Sequence, residues 1–316
     1  MTHSVLSKGI WPVERVILAY IAFTFLLMFC WWNSLVDPLL LFLTRGKALL
    51  LMAVMWAVYR WRPCRLTHLL RVSGLMLTLS LFYPDTYEIN RMLPNLDHIF
   101  AGIEQLLFNC QPSLLFSQYC PWGWLSELMC LGYVSYFPLM AVILLYYFFR
   151  RYQEFHMASY VLISSFFIYY SIFVILPVTG PQFYYLAAGT DKIAAGIFPN
   201  LTDYFLTHSD RMAAPGWSDG FFYHLLEITH NAGERPTAAF PSSHVGVTTV
   251  MILLACHTRS KKLIFAMLPF YILMCFATVY IFAHYAIDVI AGFITGFIIY
   301  KVLRHRTKKN GTPLSS

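Results

Sequence analysis

The sequence predicts an all-α fold: a polytopic membrane helix bundle of about eight transmembrane helices with a six-helix core. Three observations carry this. The 316 residues are 59% hydrophobic and 18% aromatic with only 12% charged, too apolar for a soluble chain of this length. The apolar residues come in runs of roughly twenty, the length that crosses a hydrocarbon core. The basic residues fall in short clusters between those runs, where membrane orientation puts them. The formal charge of +7 therefore reads as topology and not as a nucleic-acid surface. Neither a G-x-x-x-x-G-K-S/T nor a G-x-G-x-x-G pattern is present, so no nucleotide cofactor is implied.

Residues 1–65 hold two N-terminal spans. Lys8 and Arg15 precede an apolar run from Val16 to Trp32. That run is too long for the apolar part of a signal peptide and no small-residue cleavage site follows, so it reads as an uncleaved span. The second run, Pro38 to Tyr59, is interrupted by Arg45-Gly46-Lys47, which blurs its outer boundary. After Arg60, Arg62 and Arg65 the core of residues 66–303 begins with a third span, Leu66 to Tyr83, and Arg71 near its basic end is expected to snorkel to the interface.

An outer loop, 84–121, follows with Asp85, Glu88, Asp97 and Glu104, and within it Ile99 to Phe108 has the pattern of a short helix lying on the membrane surface. Cys110 and Cys120 flank its polar stretch and are candidates for a disulfide in an oxidising compartment. Cys30, Cys130, Cys256 and Cys275 lie inside apolar runs and read as small apolar residues. Spans four and five, Trp124 to Phe149 and His156 to Leu176, are separated by Arg150-Arg151, and Pro138 is expected to kink the fourth.

The second outer loop, 177–236, is long enough for function to be a better reading than idle chain. Span six starts at Pro241-Ser242-Ser243-His244 and ends near Cys256; spans seven and eight run from Leu263 to Phe282 and from His284 to Leu303. A basic cytoplasmic tail, 304–316, closes the chain. With both termini cytoplasmic, 15 of the 22 Lys and Arg lie on the inner side and 6 on the outer, Arg71 being the remaining one. That orientation puts the 177–236 loop, His244 and His284 on the outer (periplasmic or lumenal) face.

Ala239-Phe240-Pro241-Ser242-Ser243-His244 reads as a helix entrance suited to an anion. Ser242 or Ser243 can cap the helix while its free N–H groups and positive dipole end face a phosphate. Downstream, His284-Tyr285-Ala286-Ile287-Asp288 places His284 and Asp288 one helical turn apart on one face, so the carboxylate can orient the imidazole. Asp288 stands in an otherwise uncharged run, where an acid is costly unless paired. Because span seven returns the chain to the face where span six starts, His244, His284 and Asp288 share one membrane depth. A neutral imidazole backed by a carboxylate is an activated nucleophile, and a second imidazole suits acid/base duty. Singly, each residue reads as a satisfied polar group at a helix end; together they read as catalytic. The scheme requires no metal and no cofactor. His224 and His230 invite a metal reading, but six residues place them about 240° apart around a helix, which suits an amphipathic loop helix instead.

The two stretches together resemble the second and third signature motifs of the type 2 phosphatidic acid phosphatase superfamily of membrane lipid phosphatases and phosphotransferases. Leu176-Pro177-Val178-Thr179-Gly180-Pro181-Gln182-Phe183-Tyr184 is similar to the corresponding segment of the inositol phosphorylceramide synthase (inositolphosphotransferase) branch. The resemblance covers roughly Leu66 to Leu303. It implies that His284 attacks phosphorus and becomes a phosphohistidine, that Asp288 orients it, and that His244 protonates the leaving group.

The phosphatase branch carries a lysine and an arginine in its first motif and an arginine six residues before the third-motif histidine. Here that last position is Thr278, and Pro177 to Tyr184 contains no basic residue. Losing those cations weakens the clamp on a phosphate. The expectation moves to transfer of a phosphoryl-linked headgroup between lipids, with a lipid phosphate phosphatase as the alternative and a non-catalytic transporter or scaffold as a third reading. Arg235 can replace the lost cations, so Arg235, Ser242 and Ser243 are expected to bind substrate, with Gln182 touching a polar headgroup. Tyr184, with Tyr185, Phe221, Phe222 and Tyr223, reads as an interfacial aromatic belt or, as the alternative, a headgroup cage. The expected partners are phospholipid or other lipid phosphate substrates and the bilayer itself.

Overall fold

The computed structural model describes residues 8–309, with fourteen α-helices and no strand among them. In chain order they are α1 (Pro12–Cys30), α2 (Pro38–Trp61), α3 (Arg65–Asn90), α4 (Asp97–Phe108), α5 (Pro112–Tyr119), α6 (Gly123–Val134), α7 (Tyr136–Arg150), α8 (Tyr152–Phe173), α9 (Pro181–Ala188), α10 (Thr190–Ala194), α11 (Phe221–Gly233), α12 (Ser243–His257), α13 (Lys261–Tyr280) and α14 (Ala286–Lys309). Several starts are written locally. Asp37 accepts the Leu40 N–H at 2.9 Å ahead of Pro38, and Ser260 accepts the Leu263 N–H at 3.4 Å.

Six helices (α1, α2, α3, α8, α13 and α14) are long and apolar enough to cross a membrane. The fourth expected span is a broken one: α6 and α7 meet at Ser135 with a 45° bend. Pro138 is the third residue of α7, so the N–H it lacks is one that would have bonded back across the break. The sixth expected span, α12, is an apolar helix of only 15 residues, about 22 Å long. At the centre stands α8, 78% buried, with α1, α3, α7, α12 and α14 packed around it.

Several expectations are corrected. The third span does not stop at Tyr83; α3 continues through Pro84 to Asn90. A proline forfeits one backbone hydrogen bond, and the added turns make buried contacts: Tyr87 Oη donates to the Phe205 carbonyl at 2.8 Å and Asn90 Nδ2 to Thr237 Oγ1 at 2.6 Å. Arg45 marks no boundary. It lies inside α2, buried, and donates to Asp85 and to the Leu41 carbonyl, both at 2.7 Å. Nor does Arg71 snorkel: its Nε and Nη2 donate to Glu14 at 2.7 and 2.6 Å, and its guanidinium sits 3.8 Å from the Trp11 ring centre. Glu14 also accepts the Trp11 N–H at 2.7 Å, so one carboxylate caps α1 and ties it to α3.

Cys110 and Cys120 are both free thiols. The eight-residue α5 stands between them, roughly 12 Å of helix where a disulfide tolerates Cα atoms no more than about 7 Å apart. The 177–236 loop contains α9, α10 and α11. Tyr184 and Tyr185 on α9 are fully buried, and Tyr184 Oη donates to the Pro199 carbonyl at 2.9 Å, so neither belongs to an interfacial belt or a headgroup cage.

The seam between α12 and α14 positions the site, because both helices start there. Gly246 faces Gly292 and Gly296 across it. A Cβ on Gly292 would stand 2.5 Å from the Ser242 carbonyl oxygen, and one on Gly296 would collide with the Gly246 carbonyl. Without side chains the backbones close up.

Candidate active site

Ser242 Oγ accepts the Val245 N–H at 3.3 Å, the cap expected of it, and its own N–H donates to the Asp288 carbonyl at 3.0 Å. The entrance of α12 is thereby tied to the first turn of α14. His284 lies in the turn between α13 and α14, and its N–H donates to the Thr278 carbonyl at 2.9 Å. The 177–182 segment threads beside both motifs: the Ala239 N–H donates to the Val178 carbonyl at 3.1 Å and the Gln182 N–H to the Phe282 carbonyl at 2.8 Å. Gly180 has φ of 92°, and a Cβ there would stand 2.7 Å from the Ala283 carbonyl oxygen, so glycine is required twice over.

These ties set two imidazoles against one another. His284 Nδ1 is 2.8 Å from the Ala239 carbonyl oxygen and 3.5 Å from Asp288 Oδ2, while its Nε2 is 3.4 Å from His244 Nδ1. A carbonyl only accepts, so Nδ1 carries the proton and the Nε2 lone pair faces His244. Burial holds His284 neutral, pushing its imidazole down to about 4. Asp288 is buried and accepts the Tyr285 N–H at 2.9 Å. The His244 ring, half-buried, stacks on Tyr133 with centroids 4.6 Å apart and leans on Tyr136 at 4.7 Å.

Helix α4 supports this turn with two buried acids. Asp97 Oδ1 accepts from the Gly180 N–H at 2.8 Å and from Tyr285 Oη at 3.0 Å; Oδ2 accepts from the Thr179 N–H at 2.7 Å. Glu104 Oε2 accepts the Ile287 N–H at 3.0 Å, capping α14 beside Asp288. Burial raises both carboxyls, Glu104 to about 7. A third acid, Glu234, accepts from Gln182 Nε2 at 2.9 Å, and burial pushes its carboxyl up.

His244, His284 and Asp288 come together as the sequence places them, Ser242 caps α12, and Gln182 stands beside them. Ser243 is the first residue of α12 and is buried. Arg235 is exposed and donates to the Glu234 carbonyl at 2.9 Å. His224 is exposed and His230 buried, on different faces of α11. Sequence reasoning missed Asp97, Glu104 and Glu234. The signal for the first two was present, since Asp97, Ala101 and Glu104 recur at helical spacing along one buried face of α4.

A polytopic helical bundle that brings two histidines and an acid to facing helix starts defines the class of this protein. The family model of the PAP2 superfamily matches residues 99–302, about two thirds of the chain, and the chain belongs to that superfamily. The match starts within α4, leaving α1–α3 outside it, and singles out no branch. Membership supports a lipid enzyme of phosphatase or phosphotransferase type. Neither the curated proteins nor the solved structures compared with the chain include a match.

Proposed function

We propose that this protein transfers a phosphoryl-linked headgroup between lipids through a phosphohistidine on His284. The observation that carries the reading is the His284 pair of contacts: Nδ1 on the Ala239 carbonyl at 2.8 Å and Nε2 facing His244 at 3.4 Å. Nε2 attacks phosphorus and the bond from phosphorus to the leaving oxygen breaks. His244 gives that oxygen a proton. In the second step an acceptor hydroxyl passes its proton to His244, its oxygen bonds phosphorus, and the bond from phosphorus to Nε2 breaks, returning the electron pair to His284.

The phosphate sits against the free N–H groups at the start of α12, with Arg235 at the mouth of the site as the cation. Thr278 in place of an arginine, and a Pro177 to Tyr184 segment without a basic residue, favour transfer over hydrolysis. The excess of basic residues on one side supports cytoplasmic termini and an outer-face site that meets its lipid substrates in the outer leaflet.

The test incubates purified protein with labelled phosphatidic acid, a prenyl diphosphate or phosphatidylinositol, with and without ceramide or diacylglycerol. A new labelled lipid that vanishes in His284→Ala is the expected result. Free phosphate alone makes the protein a lipid phosphatase, and no product in any combination makes it a non-catalytic member.

A further inference from the structure

The strongest unexplained group beside the site is His230. It is 2% exposed, and neither ring nitrogen has a hydrogen-bond partner. Buried polar atoms are rarely left that way, and each such atom in a folded protein calls for an explanation. The ring is not remote from the chemistry: Tyr133 contacts His230 with centroids 5.4 Å apart and stacks on His244 at 4.6 Å. A second vacancy is linked to it through Glu234, whose N–H donates to the His230 carbonyl at 2.8 Å. Gln182 is 1% exposed and uses its Nε2 on Glu234, leaving Oε1 without a partner. Glu234 follows His230 by one turn, as the cap of α11.

These vacancies suit one kind of ligand. Burial holds the His230 imidazole neutral, pushed down to about 4, so it offers one donor and one acceptor. The nearest cation, Arg211, is already taken by Glu227 at 2.7 Å and Asn231 at 3.1 Å. With Glu234 as a further acid, the surroundings repel an anion more than they attract one. A neutral O–H is itself one donor and one acceptor, and matches His230 atom for atom.

We propose that His230, together with Gln182 Oε1, binds the hydroxyl that enters in the second step, whether of an acceptor lipid or of water. His230 touches that hydroxyl and aims its oxygen at the phosphorus on His284, while the proton goes to His244. The proposal rests on the phosphohistidine reading and adds the place of the second substrate.

Single-turnover experiments separate the two steps. Protein in detergent is mixed with phosphatidic acid or phosphatidylinositol labelled at phosphorus, and acid-labile phosphohistidine is followed with ceramide present or absent. His230→Ala is expected to form phosphohistidine within about threefold of the wild-type rate. It should discharge that intermediate at least about tenfold more slowly, so that label accumulates on the enzyme, and the KM for ceramide should rise. His230→Gln, which keeps a donor and an acceptor, should recover most of the discharge rate. The proposal falls if both steps slow equally in His230→Ala while thermal unfolding is unchanged, or if no intermediate accumulates; should His230→Ala fail to fold, a folded His230→Gln that forms the intermediate but discharges it at least about tenfold more slowly than wild type overturns it. A wild type that never labels His284 overturns the phosphohistidine reading itself, a different result.

Discussion

His284 Nε2 lies 3.4 Å from His244 Nδ1, and the Ala239 carbonyl, not Asp288, is the nearer partner of His284 Nδ1, at 2.8 against 3.5 Å. A main-chain carbonyl therefore fixes the tautomer, and the Asp288 carboxyl stands at one remove, holding the turn by accepting the Tyr285 N–H. His284→Ala should abolish acid-labile phosphoenzyme, and His244→Ala should slow turnover by about 10²–10⁴-fold, the range for losing a general acid. Asp288→Asn keeps the Tyr285 contact and should cost less than His284→Ala. Rapid-quench assays with a labelled lipid phosphate check all three.

Glu104 caps α14 through the Ile287 N–H at 3.0 Å, and burial raises its carboxyl to about 7. The ionised form makes the stronger cap. Turnover should therefore rise as pH increases through about 7 and fall as the carboxyl protonates below it. Asp288 and Tyr185 face this carboxyl and set its surroundings. In Glu104→Gln the amide oxygen caps at every pH, so the limb near 7 should vanish from the kcat profile while activity at pH 8 stays close to wild type.

The α12–α14 seam has no room for a methyl group at Gly246, where a Cβ would strike the Tyr169 hydroxyl, or at Gly296. Overpacking of this kind costs about 1–3 kcal/mol. Gly296→Ala should lower the unfolding temperature in detergent and also reduce turnover, because the carbonyl of Ser242 and the backbone of α14 separate with the seam. A substitution of equal size at lipid-exposed Ile294 should do neither.

Breaking the Glu14–Arg71 pair leaves one buried charge alone. Arg71→Met should destabilise the fold by about 3–5 kcal/mol, and Glu14→Gln in the same chain should recover a large part of it. Chemical denaturation of the two variants in matched micelles reads the difference.

The helical bundle and the meeting of His244, His284 and Asp288 were legible because they rest on local signals: runs of apolar residues, a serine at a helix start, a histidine and an acid one turn apart. The rest depends on where distant segments meet. Arg45 and Arg71 read as boundary charges in sequence, and only Asp85 and Glu14, brought from other helices, make them interior. Tyr184 read as an interfacial ring because nothing local reveals that α9 folds inward. The Ala239 carbonyl carries no sequence signature at all, since every residue has one. His230 read as part of an amphipathic loop helix, and α11 is that helix, but which way its buried face turns and where Glu234 after it meets Gln182 depend on segments distant in the chain.

The two interior ion pairs have a consequence for how the chain is assembled. α1 brings a negative charge, Glu14, and α2 a positive one, Arg45, while both matching charges, Arg71 and Asp85, reside on α3. During synthesis the first two helices leave the translation machinery before their partners exist. Each holds an uncompensated charge that hydrocarbon disfavours, and release into lipid is complete only when α3 arrives. The third helix is thus expected to act as a checkpoint for integration, and it precedes His244 and His284 in the chain.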